Sequence, residues 1–509
     1  MAWNFHRAIA AGLLGALVIA TPTPAFAQPD IRLCQLWGLT MRFGNPLVSA
    51  REGDTVGFAL GTTSWNVGTQ NVSWLATPNP NHPFIAQNLY RLQNGRFEQI
   101  GQAWVKHGFF ALRENLCNDP TCIPGGTNGQ QLFVGCTDPY EPSLNGTQSA
   151  LGPRYEINPW TGAWSATGSV FATGMTNTKV TRRLQVRDAD LVAFDSTVMG
   201  GNPTGVRYFI EGYYVAADDR NAMNSAAWKE VLRITGSPGN DWSVQTGNSA
   251  SADQLAPVNV GFAINAWGAR QTLVAQDPVI VEHVSAPLLG VSPSPDGRAI
   301  IHSKVTDNAD GTWRYNYALH NIDMDRQIGS FSVPIPTGVQ VTNVGSFHVR
   351  HHDEPYAWSE FISGTGRVHG KPINNDPWTS SVAPGSVSWS TPDVNSPTPS
   401  NPVRWGTIHN FWFDADSPPT DALVTLGLFK AGSPASLQGL TDGPSVVPEP
   451  CTGDANSDAT VDFDDITTVL AHWLTSYAPG TGPGDADGNG VVDFDDITTV
   501  LSHWLDGCP

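Results

Sequence analysis

The chain has 509 residues, a net charge of −19 and only 14% charged residues, with 51 Gly, 39 Pro and 18 Trp. Few charges and many turn-formers suit β-rich modules rather than helical bundles. Eleven Asp with no Glu, Lys or Arg sit in residues 451–509, and this lopsided acidity argues against nucleic acid and for cations as the partner of the C-terminal end.

In chain order, residues 1–27 read as a signal peptide. His6 and Arg7 precede an apolar run from Ala8 to Ala20, too short to span a bilayer, and Ala25-Phe26-Ala27 gives a small-x-small cleavage pattern. The expectation is a secreted, extracellular or surface-associated protein with no transmembrane segment in the mature chain. Six Cys follow: Cys34, Cys117, Cys122, Cys136, Cys451 and Cys508. An even count in an exported chain favours disulfides. Cys451 and Cys508 bracket the acidic end and suggest one clasp, while the other four allow three pairings. Their spacing matches no zinc pattern.

Residues 28–276 are expected to form a β-rich domain of unknown function. "TVGFALGTTSWNV", "TRRLQVRDADLVAF" and "VRYFIEGYYVA" read as strands. "NAMNSAAWKEVLRI" reads as a helix, because Trp228, Val231 and Leu232 fall at i, i+3 and i+4. Residues 277–430 carry about seven short β-branched or aromatic segments between turn clusters, from "RAIIHSKV" to "LVTLGLF", and predict an antiparallel β-sandwich. Residues 431–450, "AGSPASLQGLTDGPSVVPEP", read as a Pro/Gly/Ser linker. The fold class is therefore mainly β, with one or two antiparallel sandwich-like domains and then a small all-α unit over residues 451–509.

That last unit holds the clearest chemistry. "VDFDDITTVLAHWL" at Val461–Leu474 returns as "VDFDDITTVLSHWL" at Val492–Leu505. Calcium takes six to eight oxygens, and a twelve-residue loop offers them from positions 1, 3, 5, 7, 9 and 12. The second repeat supplies Asp485, Asp487, Asn489, the Val491 carbonyl, Asp493 and Asp496, with Gly490 at the sharp turn of position 6. The first supplies Asp454, Asn456, Asp458, the Thr460 carbonyl, Asp462 and Asp465, with Ala459 at position 6. A non-Gly residue in a left-handed conformation costs about 1 kcal/mol, so two Ca2+ sites are expected, the second tighter. Ile466, Val469, Leu470, Trp473 and Leu474, and their equivalents Ile497, Val500, Leu501, Trp504 and Leu505, predict one apolar helix face per repeat, each packing on the other.

Two loop–helix calcium repeats after a Pro-rich stretch resemble a type I dockerin. The resemblance covers about 59 of the 509 residues. It implies docking onto a cohesin-like or cell-surface protein partner and an association with polysaccharide binding or catabolism. Dockerins often read their partner through a hydroxyl pair at loop positions 10 and 11. This chain has Phe463-Asp464 and Phe494-Asp495 there, and neither helix carries Lys or Arg.

For the rest of the chain the alternatives are a glycoside hydrolase or other carbohydrate-active enzyme with its site in the first domain, and a non-catalytic surface structural protein. No G-x-S-x-G, H-E-x-x-H or phosphate-cradling loop is present. Glycoside hydrolysis needs two carboxylates, and Glu98, Glu114, Asp138, Glu141, Glu156, Glu211 and Glu230 are eligible without spacing that selects a pair. Two further clusters are His82, Glu98 and His107, and "FHVRHHDEPY" with His348, His351, His352, Asp353 and Glu354. For both, a structural role for the polar groups competes with a pocket or metal site. The many Trp and Tyr permit sugar stacking, with sandwich core as the plainer use.

Overall fold

The computed structural model of the chain describes residues 28–40, 50–126, 128–167, 169, 178–194, 205–219, 221, 223–247, 250–275, 297–352, 359–360, 371–446, 451–458, 460–478 and 482–505. The expected signal segment, Asp353, Glu354, Ala459 and Cys508 lie outside them. The described residues are mainly β, in antiparallel sheets, and no helix among them is long and apolar enough to cross a membrane.

The first sheet has the strand order Ile31–Thr40, Thr55–Asn66, Leu184–Arg187, Arg96–Gln102, Phe84–Gln93, Arg207–Val215, Ala226–Glu230, Asn259–Val260, with short strands added along it. Its centre is the long pairing of Phe84–Gln93 with Arg207–Val215, which sets Asn88 opposite Glu211. Disulfides Cys34–Cys117 and Cys122–Cys136 resolve the three-way ambiguity left by the sequence.

Two five-stranded sheets follow. One runs Arg270–Ala275, Arg298–Asp307, Trp313–Asn321, Thr407–Ala415, Val341–His348; the other runs Thr379–Ala383, Ser386–Ser390, Ile328–Pro334, Pro419–Leu428, Ser436–Pro444. They face each other across a core in which Ile301, Tyr317 and Phe413 meet Phe331, Trp389 and Leu426. This is the expected sandwich, and alternation explains it: residues 299, 301, 315, 317, 411 and 413 point into that core. The intervening Ile300, Ala318 and Ile408 point the other way and join Phe84, Tyr90, Phe97, Phe209 and Tyr213 in a second core. One sandwich sheet is thus covered on both faces, and the two β units share buried apolar surface.

Three expectations are corrected here. The segment from Ala226 to Glu230 is a strand, not a helix, and it pairs with Arg207–Val215 and Asn259–Val260. Its apparent helical spacing arises because both strand faces are buried in part, which erases the period-two signal. The boundary expected near residue 276 falls beyond Arg270–Ala275, a strand that already belongs to the sandwich through Arg298–Asp307. The expected linker supplies Ser436–Pro444, paired along its length with Pro419–Leu428. Leu437, Gly439, Thr441 and Gly443 alternate inward. Gly443 is small by necessity, since a Cβ there would lie 2.5 Å from that of Ala422, and Pro444 is tolerated because the strand is at an edge.

Candidate metal centre

The C-terminal repeats fold as loop then helix, twice. Helices Phe463–Ala471 and Phe494–Ser502 each begin on a capping box. The Asp462 side chain accepts from the Asp464 N–H at 2.8 Å, and Asp465 Oδ2 accepts from the Asp462 N–H at 2.8 Å. Asp493 and Asp496 repeat this at 2.9 and 2.8 Å. The other oxygen of each position-12 carboxylate reaches back across the loop. Asp465 Oδ1 accepts from the Asn456 N–H at 3.0 Å and Asp496 Oδ1 from the Asp487 N–H at 3.1 Å. Asp465 and Asp496 are fully buried, and burial pushes both carboxyls above the usual range.

Within the loops, Asn456 and Asp458, like Asp487 and Asn489, each accept from the N–H two residues on. Such turns hold the position-3 and position-5 oxygens inside the loop. One oxygen each from Asp485, Asp487 and Asp496 lie within 4.8 Å of one another. Calcium ligands stand about 2.3–2.6 Å from the ion, so oxygens around one ion are at most about 5 Å apart and this triple fits a single Ca2+. In the first loop position 3 is Asn456, so two carboxylates and an amide occupy the equivalent places. Gly490 has φ +87° and donates its N–H to both Asp485 oxygens at 3.0 Å.

Position 4 was missed by sequence reasoning, although aligning the repeats would have exposed it. It is left-handed in both loops: Gly488 at φ +75° and Ser457 at φ +64°.

The repeats pair reciprocally. Gly453 N–H donates to the Ala486 carbonyl at 3.0 Å and Gly484 N–H to the Ala455 carbonyl at 2.9 Å. Leu474 N–H reaches the Val492 carbonyl, and Leu505 N–H that of Val461, each at 2.8 Å. Val461, Val469, Val492 and Val500 form the shared core with Ala455 and Ala486, flanked by Ile466 and Ile497. The expected apolar helix faces are therefore only half used. Leu470, Trp473, Leu474 and their counterparts Leu501, Trp504 and Leu505 are exposed, as are Phe463 at 63% and Phe494 at 65%. Nine-residue helices end before Trp473 and Trp504, and the chain turns through Leu474 and Leu505 at positive φ, which carries these side chains off the packed face. Cys451 is disulfide-bonded; its expected partner Cys508 lies outside the described residues.

The other clusters separate in the fold. His82 Nδ1 donates to the Leu75 carbonyl at 2.9 Å, so the neutral ring accepts at Nε2 from His107 Nδ1, also at 2.9 Å. Both rings are buried beside Phe84 and Trp164, and burial holds His82 at about 4. Glu98 is not with them; it is paired with Arg91 and Arg96. Glu211 is buried at the centre of the first sheet, accepting from Asn88, Tyr90 and the Ala263 N–H, and burial raises its carboxyl. Glu230 pairs with Arg207 on the surface, Glu156 accepts from Ser169, Glu114 and Glu141 are exposed, and Asp138 is buried and raised by that burial.

His348 and His352, expected to share a side, part. His348 lies 5.5 Å from the ring of His409. His352 stacks on Trp104 at 6.0 Å and donates to the Gln102 carbonyl at 2.8 Å. With Arg154, His351 and Arg404 it lines a cavity of about 40 Å³ between the two β units. No sequence pattern links these distant residues. No protein-family model and no curated protein matches the chain.

Proposed function

We propose that residues 451–509 are a dockerin-like, calcium-dependent docking module that tethers a secreted β-rich protein to a cohesin-like or cell-surface partner. The convergence of Asp485, Asp487 and Asp496 oxygens within 4.8 Å, on a repeat that pairs reciprocally with its twin, is the observation that carries this reading. Bound Ca2+ would offset the repulsion among the loop carboxylates, and Asp485, Asp487, Asn489, the Val491 carbonyl, Asp493 and Asp496 would hold it. The first-loop set, Asp454 to Asp465, would hold a second ion. The duplicated exposed face of Phe463, Leu470, Trp473 and Leu474 supports a partner surface, since large apolar patches left in water mark interaction sites.

The same reading assigns residues 28–446 to polysaccharide binding or catabolism, with disulfides supporting an exported protein. A glycan screen on the intact protein tests it: retention without reducing-end release supports binding, release supports a glycoside hydrolase, and the absence of both removes the polysaccharide assignment. The docking reading is tested by capture of a purified cohesin with and without chelator. Capture that persists in chelator, or is unchanged in Asp454→Ala/Asp485→Ala, removes it.

A further inference from the structure

The two β units meet along a seam that no sheet crosses. The chain passes from one to the other at a single place: the turn Ala263–Trp267 is tied to the first sheet by the Ala263 N–H to Glu211, Gly268 follows at φ +64°, and Arg270–Ala275 is already a sandwich strand. Parting the units about Gly268 therefore breaks no ladder. It breaks the shared apolar contact and a few cross-seam bonds. The Ile408 N–H donates to Gln99 Oε1 at 2.8 Å, Asn410 Nδ2 to the Phe97 carbonyl at 2.9 Å and Trp405 Nε1 to the Arg154 carbonyl at 2.8 Å.

His302 and His320 lie in this seam, on the sheet face that turns Ile300, Ala318 and Ile408 toward the first unit. His302 stands opposite Ala318, and His320 opposite Ile300 and Ile408. Both rings are buried, with centres 6.1 Å apart, and His320 makes a T-shaped contact with Phe262 at 4.7 Å. No nitrogen of either ring has a hydrogen-bond partner. An imidazolium must donate from both nitrogens, so the closed seam accepts these rings only as neutral groups. The charged side chains around them are engaged elsewhere. Lys304 donates to the Trp267 carbonyl, Arg298 pairs with Asp323, and Arg96, which lies over Trp412, pairs with Glu98. Across the seam Arg154 donates to main-chain carbonyls, Glu211 accepts from Asn88 and Tyr90, and Asp219 accepts from Ser225. Apart from burial, the one influence on His302 is His320, and burial alone holds His320 at about 3.

We propose that the seam is an acid-released latch, in which protonation of His302 and His320 parts the two β units about Gly268 while each keeps its own sheets. Parting gives all four ring nitrogens water and bares the apolar faces around Phe262, Trp267 and Trp405. In the parted state each ring titrates near 6.5, so lowering the pH from 7.5 to 5 favours parting by about thirtyfold per ring and about 10³-fold for the pair. Glu211 and Asp219, whose carboxyls burial raises, act in the opposite sense where parting uncovers them, so the test compares chains that share both. The latch is independent of the docking module.

The test is native-state hydrogen exchange on the full chain from pH 7.5 to 5, corrected for intrinsic rates. The Ile408 amide and the Trp405 indole N–H report the seam, and amides of the Phe331–Trp389 ladder report the sandwich. In the parent chain the seam should open steeply as pH falls, ahead of the ladder. His302→Leu/His320→Leu should remove about 10³-fold of that rise, with the denaturant midpoint at pH 7.5 as the folding control. Single His302→Gln and His320→Gln variants, each expected to remove about thirtyfold, serve if the double variant does not fold. Seam and ladder accelerating together in the parent chain, or a rise unchanged by the substitutions, overturns the proposal.

Discussion

The two C-terminal loops differ at a residue that binds no metal, and that difference should be measurable. Position 4 is left-handed in both, occupied by Ser457 at φ +64° and Gly488 at φ +75°. A Cβ in that conformation costs about 1 kcal/mol, which is roughly fivefold in an equilibrium constant. Ser457 stands between Asn456 and Asp458, whose side chains are held by hydrogen bonds 2.8–2.9 Å long to the backbone ahead. The loop therefore cannot relax Ser457 to negative φ without moving the two side chains proposed as ligands. Ser457→Gly should tighten the first site about fivefold, and Gly488→Ser should weaken the second by a similar factor. The assay is Ca2+ calorimetry on the full chain, with either Asp485→Ala or Asp454→Ala to isolate one loop. If Ser457→Gly changes affinity by less than about twofold while the first site still binds, or if Gly488→Ser leaves the second intact, backbone strain does not set the asymmetry.

At position 6, Gly490 has φ +87°, so Ala459→Gly should strengthen the first site and Gly490→Ala weaken the second, both by about 1 kcal/mol on the same titration. Arg154 donates to the carbonyls of Ala103, Gly406 and Gln87 and to Asn88 Oδ1 inside the contact between β units; Arg154→Ala should cost about 3–5 kcal/mol in denaturant melts, with a loss under about 1 kcal/mol refuting that role. His82, His348 and His352 are held at about 4 and His320 at about 3 by burial, against 6.5. The unfolded chain then binds more protons below about 6.5, so stability should fall as pH drops from about 6.5 towards 4. Asp219, raised to about 7, acts in the opposite sense, losing its contribution as pH rises through that value. A denaturation midpoint that is flat or rising from pH 6.5 down to pH 4 would contradict the dominance of the histidines.

What the sequence revealed follows from how each segment is buried. Strands such as Trp313–Asn321 were legible from β-branched and aromatic density. The two C-terminal loops, each followed by a helix, were legible because the spacing of their Asp and Asn residues is a local property of twelve residues. Ala226–Glu230 was misread because Ala227 and Lys229 are buried on one face while Trp228 is partly covered on the other. Contact on both faces leaves no period to read. The expected boundary at residue 276 failed for a related reason: Ile300, Ala318 and Ile408 face the first sheet, and nothing local distinguishes them from Ile301 and Leu319, which face the sandwich core. His409 beside His348, and Arg154 beside His352, are products of long-range packing with no local trace.

The loop–helix unit shows why an apolar stripe does not by itself prescribe burial. Its repeats carry matching Ile, Val, Leu and Trp positions, but the reciprocal Gly453–Ala486 and Gly484–Ala455 bonds bring only the valines and flanking isoleucines to the twofold core. Leu474 is 75% exposed and Leu505 73%, and exposing such side chains forfeits roughly 1.5–3 kcal/mol each against full burial. In a segment with eleven Asp and no Lys or Arg, a self-associated copy would bring like charges together around that face. An apolar partner surface rimmed by Lys or Arg would bury the same side chains and gain attraction at the rim. On the proposed docking reading, the partner that fits this chain is basic at its edge, and substituting those cations should slow association at low salt and leave it nearly unchanged at high salt, where rim charges are screened.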